Sequence, residues 1–177
     1  MLINDQPAPL LFVSDGQINF VFPFGLEPES RVWVKVERDG IPSNVFSIPV
    51  VATAPTVFVV VLNQDGVVNS AENPASPGSV VSLWATGVGE FSPALGDGEV
   101  VGVAGPYPRI AAEVRVDIYQ TEGDVPAQAL YSGAAPGLVA GIAQINFRSP
   151  EGSFYPQSPV SLRIGQVETR IPMFLGP

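Results

Sequence analysis

The chain has 177 residues, 46% hydrophobic and 14% charged, and 17 acidic against 8 basic side chains give a net charge of −9. It contains no histidine and no cysteine, which excludes disulfide staples, the common zinc sites, and Ser-His-Asp or Cys-His catalysis. The few scattered basic residues, with Lys35 the only lysine, argue against a nucleic-acid partner and against an anionic membrane surface.

Nineteen prolines and 18 glycines imply many turns and little long helix. The opening MLINDQPAPLLF has no basic stretch before its apolar run, so it does not read as a signal peptide, and the chain is taken as a mature or excised piece. Strands are expected at about 7–14, 16–22, 31–38 and 43–51. In RVWVKVE, Val32, Val34 and Val36 share one face, and Arg31, Trp33, Lys35 and Glu37 share the other. The most apolar window, IPVVATAPTVFVVVL at 48–62, contains Pro49 and Pro55 and is too short to span a bilayer. A soluble chain without membrane insertion is expected. TVFVVVLNQDG, SVVSLWATGVG, RIAAEVRVDIY and PVSLRI supply the later strands, with Val114, Val116 and Ile118 on one face, and Val160, Leu162 and Ile164 on another. Asp-Gly pairs at 15–16, 39–40, 65–66 and 97–98 are strong turn signals. No window carries a capped 3.6-residue period, which makes the chain all-β.

The tetrapeptide QINF occurs at 17–20 and again at 144–147. Three further anchors recur in the same order: Pro7-Ala8 with Pro126-Ala127, Val32-x-Val34 with Val160-x-Leu162, and Ile48-Pro49 with Ile171-Pro172. Drifting offsets between ordered anchors indicate two related units of unequal loop length: a partial one at 1–54 and a complete one at 55–177, both read as immunoglobulin-like β-sandwiches. In each QINF the Ile and Phe should point inward, leaving Gln and Asn outside, with the Asn expected to bond a neighbouring loop backbone. The motif is therefore scaffold. The first unit lacks most strands that precede the Pro-Ala anchor in the second. Its apolar residues Ile18, Phe20, Val32, Val34, Phe46 and Ile48 should then form a face that the second unit or a neighbouring chain must cover.

Candidate chemistry is sparse. A Ser-Lys dyad would need Lys35, which alternation places on the wet face of its strand. Glycines in GVGEFS and GDGEVVG are followed by no phosphate-binding Lys-Ser. The acidic pairs Glu37/Asp39, Asp97/Glu99 and Glu122/Asp124 sit beside Gly in turn-like segments and read as solvated turn residues rather than a glycosidase pair. VLNQDGVVNSAE matches several positions of a calcium loop around Asp65, but Val61 stands where the first carboxylate belongs and the flanks are strands. A turn at Asp65-Gly66 explains it better. No metal or cofactor is expected. Trp33 and Trp84 are the candidate binding residues, able to stack on a sugar or to sit in an interface.

PAPLLFVSDGQINFVFP, SNVFSIPVVATAPTVF, LNQDGVVNSAENPASPGSVVSLWATGVGEFSP and LYSGAAPGLVAGIAQINFRSPEG together resemble the Solibacter-type C-terminal domain of large secreted acidobacterial proteins. The resemblance covers essentially the whole chain. It implies paired immunoglobulin-like units of the transcription-factor and plexin type, an extracellular or cell-surface location, and no catalytic residues. The expected role is a non-catalytic structural or adhesive module that associates with itself or with another secreted protein. A carbohydrate-binding accessory module is the alternative.

Overall fold

Alternation makes these segments strands, and the Asp-Gly pairs turn them back. The computed structural model of the chain describes every residue except 27, 29, 121–122, 153–155 and 177. In chain order the strands are β1 (Leu2–Ile3), β2 (Gln6–Pro7), β3 (Leu10–Val13), β4 (Ile18–Phe20), β5 (Arg31–Lys35), β6 (Glu37–Arg38), β7 (Ile41–Pro42), β8 (Phe46–Pro49), β9 (Thr56–Leu62), β10 (Val80–Thr86), β11 (Phe91–Ser92), β12 (Arg109–Ile110), β13 (Val114–Ile118), β14 (Val125–Ala134), β15 (Ala143–Arg148), β16 (Val160–Ile164) and β17 (Val167–Ile171). The described residues contain no helix, so none is long and apolar enough to cross a membrane. The chain is all-β.

Each Asp-Gly pair lies in a turn. At 15–16 the turn joins β3 to β4, and Ser14 N–H donates to the Gln17 carbonyl at 2.8 Å. Asp39 and Gly40 have φ of 52° and 77° between β6 and β7, the two positive angles of a type I′ hairpin. Gly66 and Gly98 also have positive φ, which a glycine adopts without the Cβ penalty.

Residues 55–177 build one large sheet in the order β17-β16-β13-β14-β15-β10-β9, with β11 and β12 attached beside β14. Its end strands β17 and β9 come into contact, so the sheet curls toward a barrel around one core. Val81, Leu83, Ile145, Phe147, Leu162 and Ile164 are fully buried there. Each such side chain contributes about 1.5–3 kcal/mol relative to exposure.

Residues 1–54 form a four-stranded sheet, β2-β1-β5-β8, and two separate ribbons, β3-β4 and β6-β7. Ile3, Ala8, Val32, Val34 and Val50 make a small core of their own, with Met1, Phe20 and Leu26 against it. The repeat seen in the sequence extends to the pairing. Val32 faces Ile48 across β5-β8, and the corresponding Val160 faces Ile171 across β16-β17. Ile3 faces Val34 as Val116 faces Leu162. The hairpin β3-β4 repeats β14-β15. The long β14 is represented by two pieces, β2 and β3, with Pro9 between them, because a proline nitrogen offers no hydrogen to a ladder. Strand for strand, the first sheet system is β15-β14-β13-β16-β17 without the flanking β10 and β9.

The two regions meet backbone to backbone. Ala54 N–H donates to the Gly87 carbonyl at 2.8 Å, and Thr53 Oγ1 donates to the Ile164 carbonyl at 3.2 Å. A Cβ on Gly87, which has φ +70°, would stand 2.1 Å from the Ala54 carbonyl oxygen. Phe24 packs edge-on against Phe91, with ring centroids 6.1 Å apart, while its N–H donates to Asp97 at 2.8 Å. Gly87→Ala should therefore destabilise the chain by about 3 kcal/mol through backbone strain and overlap. Urea unfolding followed by tryptophan fluorescence measures it; an unchanged midpoint would mean that the linker at 52–54 does not rest on Gly87.

Candidate functional site

The feature that separates the two regions is the outer edge of the QINF strand. In β15, Ser149 N–H donates to the Ser79 carbonyl at 2.8 Å. The alternation this sets directs the backbone groups of Ile145 and Phe147 toward β10. There Leu83 faces Ile145, Ser82 faces Asn146, Val81 faces Phe147 and Trp84 faces Gln144. Ile145 and Phe147 are fully buried as a result.

In β4 the same tetrapeptide has, among the described residues, a neighbouring strand on one side only, β3. Ser14 N–H bonds the Gln17 carbonyl, and Val21 N–H bonds the Pro9 carbonyl at 2.9 Å. Between these fixed points, alternation turns the N–H and C=O of Ile18 and Phe20 away from β3. Their side chains are half-buried rather than buried. Next to them, all four residues of β3 are exposed: Leu10 48%, Leu11 54%, Phe12 50% and Val13 59%. A two-stranded ribbon with apolar residues on both faces is marginal by itself, and an unpaired apolar edge is a site for strand addition.

Both copies of QINF carry the same side-chain bond. Gln17 Nε2 donates to Asn19 Oδ1 at 2.7 Å, and Gln144 Nε2 donates to Asn146 Oδ1 at 2.9 Å. Neither asparagine oxygen is used on a loop backbone as the sequence suggested. Residues two apart project from the same face of a strand, and the long glutamine reaches its neighbour before a loop can.

The six apolar residues expected to form one interface divide three ways. Ile18 and Phe20 lie on the open strand. Val32 and Val34 are buried, at 1% and 8% exposure, beneath the first region's own Ile3, Ala8 and Val50, so they need no outside cover. Phe46 and Ile48, on the edge strand β8, remain 62% and 39% exposed. The β3 residues were the missed part. Four consecutive apolar residues show no alternation, and only the structure reveals that β3 is exposed on both of its faces.

Trp33 is 58% exposed, beside Arg31, whose guanidinium donates to Ser47 Oγ at 2.7 Å across the β5-β8 ladder. Trp84 is half-buried on the outer face of β10, opposite Gln144. No contact joins the two tryptophans. Between the regions lies an apolar crevice of about 830 Å³, with Phe20, Phe22, Phe24 and Ile142 on its walls and Glu90 as its one charged side chain among the described residues.

Several ionisable groups are occupied in structural bonds. Lys35 pairs with Asp5, and the hydrogen bond it donates to that carboxylate raises the Lys35 pKa, which holds the only amine side chain protonated and unfit to serve as a base. Asp97 accepts from Phe24 N–H, and Glu99 accepts from Gly96 N–H at 2.8 Å; Glu122 lies outside the described residues. Glu168 is held at a pKa of about 2 by hydrogen bonds from Arg163 and Arg170, a cross-strand cluster at the surface of β16 and β17. Among the described residues, no three acidic, His or Cys side chains converge to hold a metal ion.

The Asp65 segment is a closed turn. Gly66 N–H donates to the Asn63 carbonyl, Asn63 N–H donates to the Val67 carbonyl, and the Asp65 carboxylate accepts from Val67 N–H, each at 2.9 Å. Asn69, a ligand position in the calcium reading, instead bonds Asn63 Oδ1 and both the N–H and C=O of Phe174. It ties this loop to the end of the chain. Calcium should leave the melting temperature unchanged, and Asp65→Asn should alter stability by less than about 0.5 kcal/mol, since Asn-Gly turns equally well. A calcium-dependent rise that Asp65→Asn removes would contradict this. Comparison of the chain with protein-family models, curated proteins and solved structures finds no match.

Proposed function

We propose that the chain is a non-catalytic structural or adhesive module of a bacterial exterior, built from two immunoglobulin-like units at 1–54 and 55–177, and that it assembles by adding a strand to the open edge of its first unit. The observation that carries this reading is the pairing correspondence: the first region repeats β13 to β17 but, among the described residues, has no strand where β10 lies. Backbone groups of Ile18 and Phe20 face that place, flanked by the exposed apolar run Leu10–Val13. Covering half-exposed side chains of this size is worth on the order of 1 kcal/mol each, enough in sum to drive association. The pairing of Lys35 with Asp5 and the hydrogen bonds accepted by Asp97 and Glu99 support the absence of catalysis. The extracellular location rests on the sequence resemblance.

A carbohydrate-binding role is the second reading, favoured by the exposure of Trp33 on a sheet surface. Glycan-array binding that Trp33→Ala abolishes would select it.

Light scattering across a dilution series tests the assembly reading. The apparent mass should rise with concentration in the micromolar range, and Ile18→Pro should hold it at the monomer value. Proline is tolerated at the first residue of a strand and on an edge, and the N–H it removes from Ile18 faces away from β3. Monomer mass at all concentrations in the unaltered chain, or assembly indifferent to Ile18→Pro, would sink the proposal.

A further inference from the structure

The assembly reading leaves the added strand unnamed, and the chemistry of β4 identifies it. We propose that the strand is β4 of a second copy, paired antiparallel about a twofold axis through Asn19, giving a closed dimer rather than a fibre. The inference rests on the assembly reading above and specifies its partner and register.

Three observations on the edge support it. In the second unit, the strand beside QINF places an apolar side chain opposite each of the buried Ile145 and Phe147, with Ser82 opposite Asn146 between them. Antiparallel β4 supplies the same order to itself. A twofold at Asn19 sets Phe20 of one copy opposite Ile18 of the other, Asn19 opposite Asn19, and Ile18 opposite Phe20. Second, the hydrogen bonding matches. Ile18 and Phe20 both direct their N–H and C=O outward, so each Ile18–Phe20 pair can exchange two backbone bonds, leaving Asn19 as the closely spaced, non-bonded pair at the centre.

Third, charge permits it. From Leu10 to Phe24 the only charged residue is Asp15. In this register the two Asp15 side chains lie four residues either side of the axis, roughly 26 Å apart along the ribbon, well beyond the screening length at physiological salt. The net charge of −9 is thereby kept off the contact. The outer edge of β9, which β17 already approaches, is a poorer partner for β4. A register break sets Phe58, Val59 and Val60 opposite the single residue Trp84, which destroys the alternation that β4 requires. An isologous contact uses one patch on both copies and closes on itself.

Cross-linking tests this directly, because the chain has no cysteine of its own. A non-bonded antiparallel pair has Cα atoms about 4.5 Å apart, within the range that a disulfide spans. Asn19→Cys should therefore double in mass on a non-reducing gel after mild oxidation. Gln17→Cys projects from the same face, but its twin lies roughly 13 Å away along the ribbon, and it should remain monomeric. Circular dichroism of both variants shows whether each keeps the fold, and Val13→Cys, on β3 and remote from the axis, gives the background of random collision.

Dimer from Asn19→Cys alone supports the proposal. Equal cross-linking of Asn19→Cys and Gln17→Cys, or cross-linking of Gln17→Cys alone, overturns the register. A concentration-dependent mass without any Asn19→Cys dimer keeps the assembly reading and overturns the β4 pairing. Monomer mass with no cross-link at either position removes both.

Discussion

A strand's backbone donors and acceptors point alternately to its two sides, and each must find a partner in protein or in water. On β15 both sides are satisfied by protein; on β4 one side is left to solvent, although the side chains above it are the same four residues. The other features of the first region follow from that difference. Without a neighbour, Ile18 and Phe20 are only half covered, whereas Ile145 and Phe147 are fully enclosed. The attached β3 then projects four apolar side chains into water. A core of five apolar side chains stabilises β1, β2, β5 and β8 and touches the ribbon through Phe20, leaving β3 outside it.

The first region is nevertheless held firmly at one end. Its linker at 52–54 lies so close to Gly87 and Gly89 that neither position has room for a Cβ: the nearest carbonyl oxygens would stand at 2.1 and 2.7 Å. Phe24 inserts toward the second core, and the Asp97 carboxylate receives its N–H. Docking therefore fixes the root of the first region and leaves the β4 edge free. The apolar crevice between the regions is the space that this one-ended contact encloses.

Much of the architecture could be read from the residues. Period-two alternation located β5, β13 and β16, and the four Asp-Gly pairs each mark a turn. The QINF repeat, together with the Val-x-Val and Ile-Pro anchors, disclosed the internal duplication. What stayed hidden depends on contacts far apart in sequence. β1 is two residues long, and nothing in Leu2–Ile3 announces that it plays the part of β13; only its pairing with β5 does so. For the same reason Val32 and Val34 read as bare, because Ile3 and Val50, which cover them, lie outside any local pattern. The Asn19 and Asn146 side chains were also unpredictable, since their partner is chosen by which acceptor the neighbouring glutamine can reach. The open edge itself became visible once the two copies of one motif could be compared by neighbour rather than by sequence.

The most direct measurement is the exchange rate of two backbone amides, Ile18 and Ile145, followed by hydrogen–deuterium exchange across a concentration series. Ile145 should be protected at every concentration, because β10 lies beside it. Ile18 should exchange at least about a hundredfold faster in dilute solution, as expected for an amide outside any protein ladder, and should become protected as concentration rises and a second copy closes the edge. Protection of Ile18 at all dilutions would mean that the edge is already closed within one chain, and rapid exchange at all concentrations would mean that no copy ever closes it.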